Sequence, residues 1–95
     1  MSLRCIFLDR DGVVNVERHY VHRIEDFEFV PGTPEAIRRL NDAGWTVVVV
    51  TNQSGIGRGL YTEADYQRLT AHIRDELARI GAHVDAFHHC PHTPD

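Results

Sequence analysis

Two carboxylates, two residues apart, directly follow a short apolar run near the start of the chain. Residues 5–8 are apolar, and Asp9, Arg10, Asp11 and Gly12 come next. Carboxylates this close repel each other unless a cation neutralises them. Mg²⁺ suits such a pair because it prefers a few carboxylate oxygens together with the phosphate oxygens of a substrate. The motif therefore offers the ligands that Mg²⁺-assisted phosphate chemistry would need.

A second group of polar residues follows a second apolar run. Residues 47–50 are all valine, and Thr51, Asn52, Gln53 and Ser54 come next. The Thr51 hydroxyl and the amides after it are donors for the negative charge that builds up on a phosphoryl group. In open α/β sheets, ligands bind at the carboxyl ends of the strands. Either motif alone is typical of an ordinary polar turn, but the two together predict one site at a sheet edge.

The elements that must position these residues alternate along the chain. Apolar runs predict strands at 5–8, 45–50 and 84–87. Thr33, followed by proline, predicts the cap of a helix that Gly44 stops. A second helix begins at Thr62, has Asp65 as capping-box partner, and ends at Gly81. Its apolar face is formed by Tyr66, Leu69, Ile73, Leu77 and Ile80. This β-α-β-α-β order predicts an α/β fold: a parallel, Rossmann-like sheet of about three core strands with flanking helices.

Composition narrows the class of protein. The chain has 95 residues, enough for one small domain, and a net charge of −4. All ten basic residues are arginine. The acidic balance disfavours nucleic acid as a partner. No apolar stretch approaches a membrane span, and two cysteines make no disulfide framework. We expect a cytoplasmic protein with neither a nucleic-acid nor a membrane partner.

Two other motif interpretations fail on glycine spacing. The run from Gly55 to Gly59 is not a dinucleotide fingerprint, because Leu60 stands where the third glycine belongs. The segment from Asp9 to Asn15 is not an EF-hand loop, because its glycine is fourth rather than sixth. Phosphate chemistry therefore remains the stronger interpretation.

The two motifs together resemble a known family. Residues 9–15 (DRDGVVN) and 51–59 (TNQSGIGRG) look like the haloacid dehalogenase superfamily of phosphatases. Within it, residues 20–22 (YVH), 27–29 (FEF) and 31–32 (PG) resemble the D-glycero-D-manno-heptose 1,7-bisphosphate phosphatases, near relatives of the histidinol-phosphate phosphatases. The resemblance implies a single partial domain over residues 1–95.

The resemblance also implies roles. Asp9 would be the nucleophile that forms an aspartyl-phosphate, and Asp11 would protonate the leaving sugar oxygen and then activate water. Asp9 and the backbone carbonyl of Asp11 would hold Mg²⁺, and Thr51 would steady the phosphoryl oxygens. Arg58 would meet a second phosphate or remain a solvated loop residue. The sugar phosphate substrate, a precursor of lipopolysaccharide, would contact Arg10, Glu17, Arg18, His19, Tyr20, Asn52, Gln53 and Ser54.

Residues 88–95 resemble the first half of a zinc loop of the heptose phosphatases. Cys90 and His92 match its Cys-x-His half. A structural zinc site has four ligands, so Zn²⁺ is expected here only at a half site. His88 and His89 are poor substitutes because adjacent strand residues point to opposite faces.

The resemblance further implies a later lysine and a later acidic pair, which these 95 residues do not contain. We therefore interpret the chain as the amino-terminal part of a larger fold. Two alternatives remain open: a phosphatase for histidinol phosphate or another phosphomonoester, and a catalytically incomplete binding module that self-associates through an incomplete sheet.

Overall fold

The computed structural model describes residues 4–93, which form one parallel sheet and its helices. The predicted residues 1–3 and 94–95 of the domain lie outside this range. The strands are β1 (Cys5–Asp9), β2 (Thr46–Asn52) and β3 (Ala86–Cys90), and the helices are α1 (Thr33–Asp42), α2 (Ser54–Gly57) and α3 (Glu63–Ala78), with one 3₁₀ turn at Ile24–Asp26. The predicted α/β fold class is confirmed.

The sheet order is β1-β2-β3, and both strand pairs are parallel. The register places Asp9 beside Val50, and Val50 beside His88, in one row across the carboxyl end. Successive right-handed crossovers in this linear order bring α1 and α3 to the same face of the sheet. All three loops that follow the strands therefore meet at one edge.

The core lies between the sheet and these two helices. Val47 and Val49 of β2 are fully buried against Ile37 of α1 and Ile73 of α3. Valine suits such a strand because its branched side chain packs well on a pleated surface. This face of the sheet carries the hydrophobic core and holds β2 rigidly in the centre.

The opposite face of the sheet, which we call the open face, has no helix over it within residues 4–93. Phe7 is 69% exposed and Val50 is 42% exposed. Parallel sheets are ordinarily covered on both faces. The open face is therefore an unusual apolar surface, as the thin predicted sheet implied.

Several predicted boundaries were wrong, for local reasons. Thr33 does not cap α1: Gly32 takes the cap position at φ 88°, while the Thr33 hydroxyl donates to the Val13 carbonyl oxygen at 2.9 Å. β3 begins at Ala86 rather than residue 84, because the Asp85 carboxylate accepts the Val47 amide at 2.7 Å and sets the register. The capping box of α3 is confirmed, with Thr62 and Asp65 bonding reciprocally.

Candidate functional site

The two predicted motifs meet at the carboxyl edge of the sheet. Asp9 ends β1, and Thr51 and Asn52 end β2. A pocket of about 240 Å³, here called the aspartate pocket, lies between them. Its lining residues are Asp9, Arg10, Asp11, Glu17, Thr51 and Asn52. Residues far apart in sequence therefore share one concave surface, as the strand-end argument predicted.

A second pocket, of about 220 Å³, adjoins the first and is here called the side pocket. It shares Asp11, Glu17 and Asn52 with the aspartate pocket. Its other lining residues are His19, Tyr20, Val21, Gln53, Ser54 and Tyr61. The expected substrate residues thus gather beside the two aspartates, except for Arg18.

Arg18 points elsewhere. Its guanidinium pairs with Glu28 at 2.5 Å and donates to the Asp26 carbonyl oxygen at 3.1 Å. Contact with a substrate through this side chain would require it to leave Glu28. The predicted Arg58 contact also lies apart from both pockets, on the exposed end of α2.

The Asp11 carboxylate is held by donors on both oxygens. Oδ1 accepts from the Arg10 guanidinium at 2.9 and 3.3 Å and from the Asn15 amide at 3.0 Å. Among residues 4–93, Oδ2 accepts only from the Gln53 amide, at 3.2 Å. Three donors saturate Oδ1, so Oδ2 is the oxygen with capacity for a proton or a substrate.

The Arg10 guanidinium supports the Asp11 carboxylate through hydrogen bonds from a buried position. Its side chain is 1% exposed, and it also donates to the Val21 carbonyl oxygen at 2.8 Å. A buried guanidinium needs such partners because an unpaired buried charge is costly. Its hydrogen bonds to Asp11 and Val21 make Arg10 a support of Asp11, and because Arg10 also lines the aspartate pocket, its substrate contact stays a prediction.

The turn after Asp11 is tightly closed. The Arg10 carbonyl oxygen accepts from the amides of Val14 and Asn15 at 2.7 and 3.0 Å. Gly12 adopts φ 91°, which a residue without a Cβ tolerates. The turn therefore fixes the Asp11 backbone as well as its side chain.

Asp9 contrasts with Asp11. It is exposed at the end of β1, and its carboxylate makes no hydrogen bond or ion pair with any residue from 4 to 93. A carboxylate with free oxygens facing a pocket is available to a metal ion or to an electrophile. The two aspartates thus have different surroundings and suit different tasks.

Gln53 connects Thr51, Asp11 and Tyr61. Its side chain is 2% exposed, and its amide nitrogen donates to Thr51 Oγ1 at 2.8 Å as well as to Asp11. The Tyr61 hydroxyl donates to the Gln53 amide oxygen. Burial raises the pKa of Tyr61, with the Arg10 guanidinium opposing this, so the phenol keeps its proton and remains a donor.

Sequence reasoning missed Tyr61 and Asn15. Tyr61 immediately precedes the helix cap Thr62, where an apolar residue commonly packs against the first turns of the helix. That position gives no sign of a hydrogen bond toward Asp11. Asn15 belongs to the predicted motif, but its position gives no sign of a contact with Asp11, which arises because the turn closes.

The loop after β2 is anchored to the end of β3. The Gln53 backbone amide donates to the Cys90 carbonyl oxygen at 2.7 Å, and Gly57 donates to the Pro91 carbonyl oxygen at 2.8 Å. A Cβ on Gly57 would lie 2.6 Å from that Pro91 oxygen, so only glycine allows this approach. The segment that carries the residues expected to bind phosphate is therefore held in place by hydrogen bonds to the end of β3 and to the residue that follows it.

The expected zinc half site lies in part on β3. Cys90 is the last residue of the strand and is exposed, and His92 follows it. Both line a pocket of about 550 Å³ that also reaches Asp9, Val50 and His88. Within residues 4–93, no three His, Cys, Asp or Glu residues cluster closely enough to hold a metal ion. The Zn²⁺ half site stays a prediction.

No helix in the described part of the chain is long and apolar enough to cross a membrane.

Comparison with known proteins gives close relatives. A D-glycero-beta-D-manno-heptose-1,7-bisphosphate 7-phosphatase of Yersinia pestis is 48% identical over 99% of this chain and 50% of its own length. The D-glycero-alpha-D-manno-heptose-1,7-bisphosphate 7-phosphatase of Photorhabdus laumondii is 43% identical over 99% of this chain and 51% of its own length. The chain thus spans about half the length of the curated relatives it matches.

Solved structures agree with these relatives. A D,D-heptose 1.7-bisphosphate phosphatase from B. bronchiseptica, complexed with magnesium and phosphate, superposes with a TM-score of 0.94 and 44% identity, over 98% of this chain and 52% of that chain. A HAD-like phosphatase from Mesorhizobium loti superposes with a TM-score of 0.86 and 38% identity, over 93% of this chain and 42% of that chain. The model of the polynucleotide kinase 3 phosphatase family matches residues 5–93. The chain therefore belongs to the polynucleotide kinase 3 phosphatase family, and its predicted resemblance to heptose bisphosphate phosphatases of the haloacid dehalogenase type is confirmed.

Proposed function

We propose that this chain carries the nucleophile and the general acid–base residue of a Mg²⁺-dependent phosphatase. The substrate proposed is D-glycero-D-manno-heptose 1,7-bisphosphate, from which the 7-phosphate is removed, as in the names of the curated relatives. The observation that carries the proposal is the contrast between an unpaired Asp9 and a firmly held Asp11 at one pocket. Production of heptose precursors of lipopolysaccharide in the cytoplasm is the corresponding biological role.

In the first step, a carboxylate oxygen of Asp9 attacks phosphorus. A bond forms between that oxygen and phosphorus, and the bond from phosphorus to the sugar oxygen breaks. Asp11 donates a proton to the departing sugar oxygen. Oδ2 is the atom that supplies this proton, because Oδ1 already accepts from three N–H groups of Arg10 and Asn15.

In the second step, water attacks the phosphorus of the aspartyl-phosphate. The Asp11 carboxylate removes a proton from that water through the same Oδ2, and the bond between phosphorus and Asp9 breaks. Inorganic phosphate leaves, and both aspartates return to their initial protonation states. One carboxyl group thus acts as acid and then as base.

Thr51 is proposed to contact the phosphoryl oxygens. Its hydroxyl oxygen accepts from Gln53 at 2.8 Å, which leaves the hydroxyl proton free to donate to a phosphoryl oxygen. Thr51 is only 5% exposed, so this donor is held away from bulk water. A donor fixed in advance stabilises developing negative charge most effectively.

The donor set at this edge fits Mg²⁺. The Asp9 carboxylate is free, and within residues 4–93 the Asp11 main-chain oxygen accepts no hydrogen bond, so these two oxygens would hold the ion. Mg²⁺ prefers one or two protein carboxylates, with water and phosphate oxygens completing its shell. When bound, the ion neutralises charge on the phosphate and on Asp9.

The side pocket is proposed to bind the sugar. Glu17, His19 and Tyr20 line it next to Asp11, and Ser54 closes it from the loop after β2. Tyr20 has a left-handed backbone, φ 54°, which is uncommon outside glycine and concentrates at functional sites. A substrate panel that includes histidinol phosphate tests the sugar assignment, and a preference for histidinol phosphate would replace it with the alternative substrate.

The first experiment measures phosphate release from the heptose bisphosphate with Mg²⁺ present. Asp9→Asn should abolish turnover, while the matched control Asp42→Asn, an exposed carboxylate at the end of α1, should leave it unchanged. Circular dichroism confirms that both variants fold. Turnover in Asp9→Asn that equals the control would rule out the nucleophile.

A binding role through self-association is the second proposal. The open face exposes Phe7 and Val50, and exposed apolar side chains that no helix covers within residues 4–93 favour contact with another copy. Light scattering should report a mass above that of one chain, and Phe7→Ser should lower it toward the monomer. A monomeric wild-type chain at high concentration would contradict this proposal.

A further inference from the structure

We propose that Tyr61 is a positioning residue that acts on Asp11 through Gln53. The inference rests on the proposed phosphatase function and deepens it. Tyr61 touches neither Asp9 nor Thr51 by a hydrogen bond, yet its hydroxyl is two hydrogen bonds away from the oxygen that would carry the catalytic proton. We call Tyr61, Gln53 and Asp11 Oδ2 the positioning chain.

The direction of each hydrogen bond is set by chemistry. Because the ionised Asp11 carboxylate only accepts, the Gln53 amide nitrogen faces Asp11, and the Gln53 oxygen faces the Tyr61 hydroxyl, which donates to it. Both hydrogens of that nitrogen are then used, one on Asp11 Oδ2 at 3.2 Å and one on Thr51 Oγ1 at 2.8 Å. A single amide therefore orients both Asp11, which would protonate the leaving sugar oxygen, and Thr51, which would contact the phosphoryl oxygens.

A rotated amide would place two acceptors against each other. In the state where Asp11 is ionised, after it has protonated the sugar oxygen and before it takes a proton from water, the Gln53 oxygen would then face a carboxylate that only accepts hydrogen bonds. Gln53 is 2% exposed and Tyr61 is 6% exposed, so water has little access to replace a lost partner. The Tyr61 hydroxyl therefore helps to fix one of the two amide orientations.

Tyr61 itself is held in place by its surroundings. Its ring stacks on His22, with centroids 4.7 Å apart and planes 3° apart. The His22 ring nitrogen Nδ1 lies 2.7 Å from the Tyr20 carbonyl oxygen. On the other side, a Cβ at Gly55 would lie 2.2 Å from the Tyr61 ring, so glycine is required there for the ring to fit. These contacts hold the Tyr61 ring, and therefore its hydroxyl, in one position.

A small error in the placement of an acid or base is expensive in rate. A misplacement on the scale of 1 Å costs up to roughly 100-fold in turnover. Without the Tyr61 hydroxyl, Gln53 keeps its bonds to Asp11 and Thr51 but loses the restraint behind it. We expect Tyr61→Phe to lower kcat by roughly 10-fold with little change in KM, because the ring still fills its site beside the side pocket.

Tyr66→Phe is the matched control. Tyr66 is also buried, at 2% exposed, but its hydroxyl has no hydrogen-bond partner in the described part of the chain. It stacks on His89 and makes no hydrogen bond to Gln53. Both variants delete one buried hydroxyl, and only Tyr61→Phe breaks the positioning chain.

The test combines kinetics with the side-chain amide signals of Gln53 in the ¹⁵N-labelled full chain. We expect Tyr61→Phe to move these signals and to lower kcat, whereas Tyr66→Phe should do neither. In a Gln53→Met background, Tyr61→Phe should have no further effect on kcat, because it acts through the amide. That non-additivity separates positioning from a general loss of stability.

Equal kcat and unchanged Gln53 signals in Tyr61→Phe would overturn the inference. A full additional loss of kcat in the Gln53→Met background would overturn it as well, since Tyr61 would then act by another route. A wild-type chain that releases no phosphate would instead count against the proposed function. In that case the amide signals alone decide whether Tyr61 orients Gln53.

Discussion

Replacing the buried guanidinium beneath Asp11 gives the most direct measure of what holds the site together. Arg10→Met keeps much of the aliphatic stem and removes the charge and all N–H donors. The Arg10 side chain is 1% exposed, and it bonds both Asp11 and the Val21 carbonyl oxygen. Arg10→Met leaves the Asp11 carboxylate with fewer hydrogen-bond partners and the Val21 carbonyl oxygen without its guanidinium donor.

The size of the effect follows from these contacts. Breaking a buried ion pair by removing one partner costs about 3–5 kcal/mol. Asp11 is 21% exposed and keeps the amides of Asn15 and Gln53, which places the expected loss at the lower end, about 3 kcal/mol. In a domain of this length, such a loss lowers Tm by more than roughly 10 °C.

Urea unfolding measures the loss, with the fluorescence of the single tryptophan, Trp45, as the probe. Arg39→Met is the control, because Arg39 is 79% exposed and its ion pair with Glu35 is a surface pair. We expect the control to change the free energy of unfolding by less than about 1 kcal/mol. If Arg10→Met destabilises the chain no more than the control does, the reasoning that Arg10 supports Asp11 is refuted.

Three further predictions concern stability. Gly55→Ala should cost about 1–3 kcal/mol in urea unfolding, because the new Cβ would lie 2.2 Å from the Tyr61 ring; an unchanged midpoint would contradict the packing described. Thr62→Ala should cost about 1 kcal/mol by thermal unfolding through loss of the helix cap, and Thr62→Ser should restore most of it. The hydrogen bond from His89 lowers the pKa of Glu63, so wild type should have a larger free energy of unfolding than Glu63→Gln above pH 4.5. This difference should vanish as the pH falls through the lowered pKa, and a difference that is constant with pH would disprove the contact.

The sequence predicted the elements whose signals are local. The capping box at Thr62 depends on spacing within one helix and is present, and the predicted apolar face is buried from Tyr66 to Leu77. Its last member was wrong, because α3 ends at Ala78 and Ile80, beyond that end, is 40% exposed. The short helix Ser54–Gly57 was not predicted, because its two glycines disfavour helix; in the structure the Gly57 amide at its end donates to Pro91. The start of β3 also depended on a distant partner, the bond from Val47 to Asp85.

The candidate site also combines features that the sequence predicts with contacts that depend on distant residues. That Asp9, Asp11 and Thr51 would meet could be predicted, because parallel strands deliver their carboxyl ends to one edge. The roles expected for these residues stay predictions. The contact of Tyr61 with Asp11 through Gln53 could not be predicted this way, since it exists only after the loop that follows β1 has packed against the segment between β2 and α3.

The anchoring of the loop after β2 to the end of β3 has a consequence for the order of events during synthesis. The backbone amides of Gln53 and Gly57 donate to Cys90 and Pro91, which follow them by 37 (90 − 53) and 34 (91 − 57) residues in the sequence. A nascent polypeptide therefore carries both aspartates long before the loop that orients Asp11 can settle. The loop after β2 therefore takes its final position only when β3 has docked, and the amide hydrogens of Gln53 and Gly57 gain protection from exchange only at that stage.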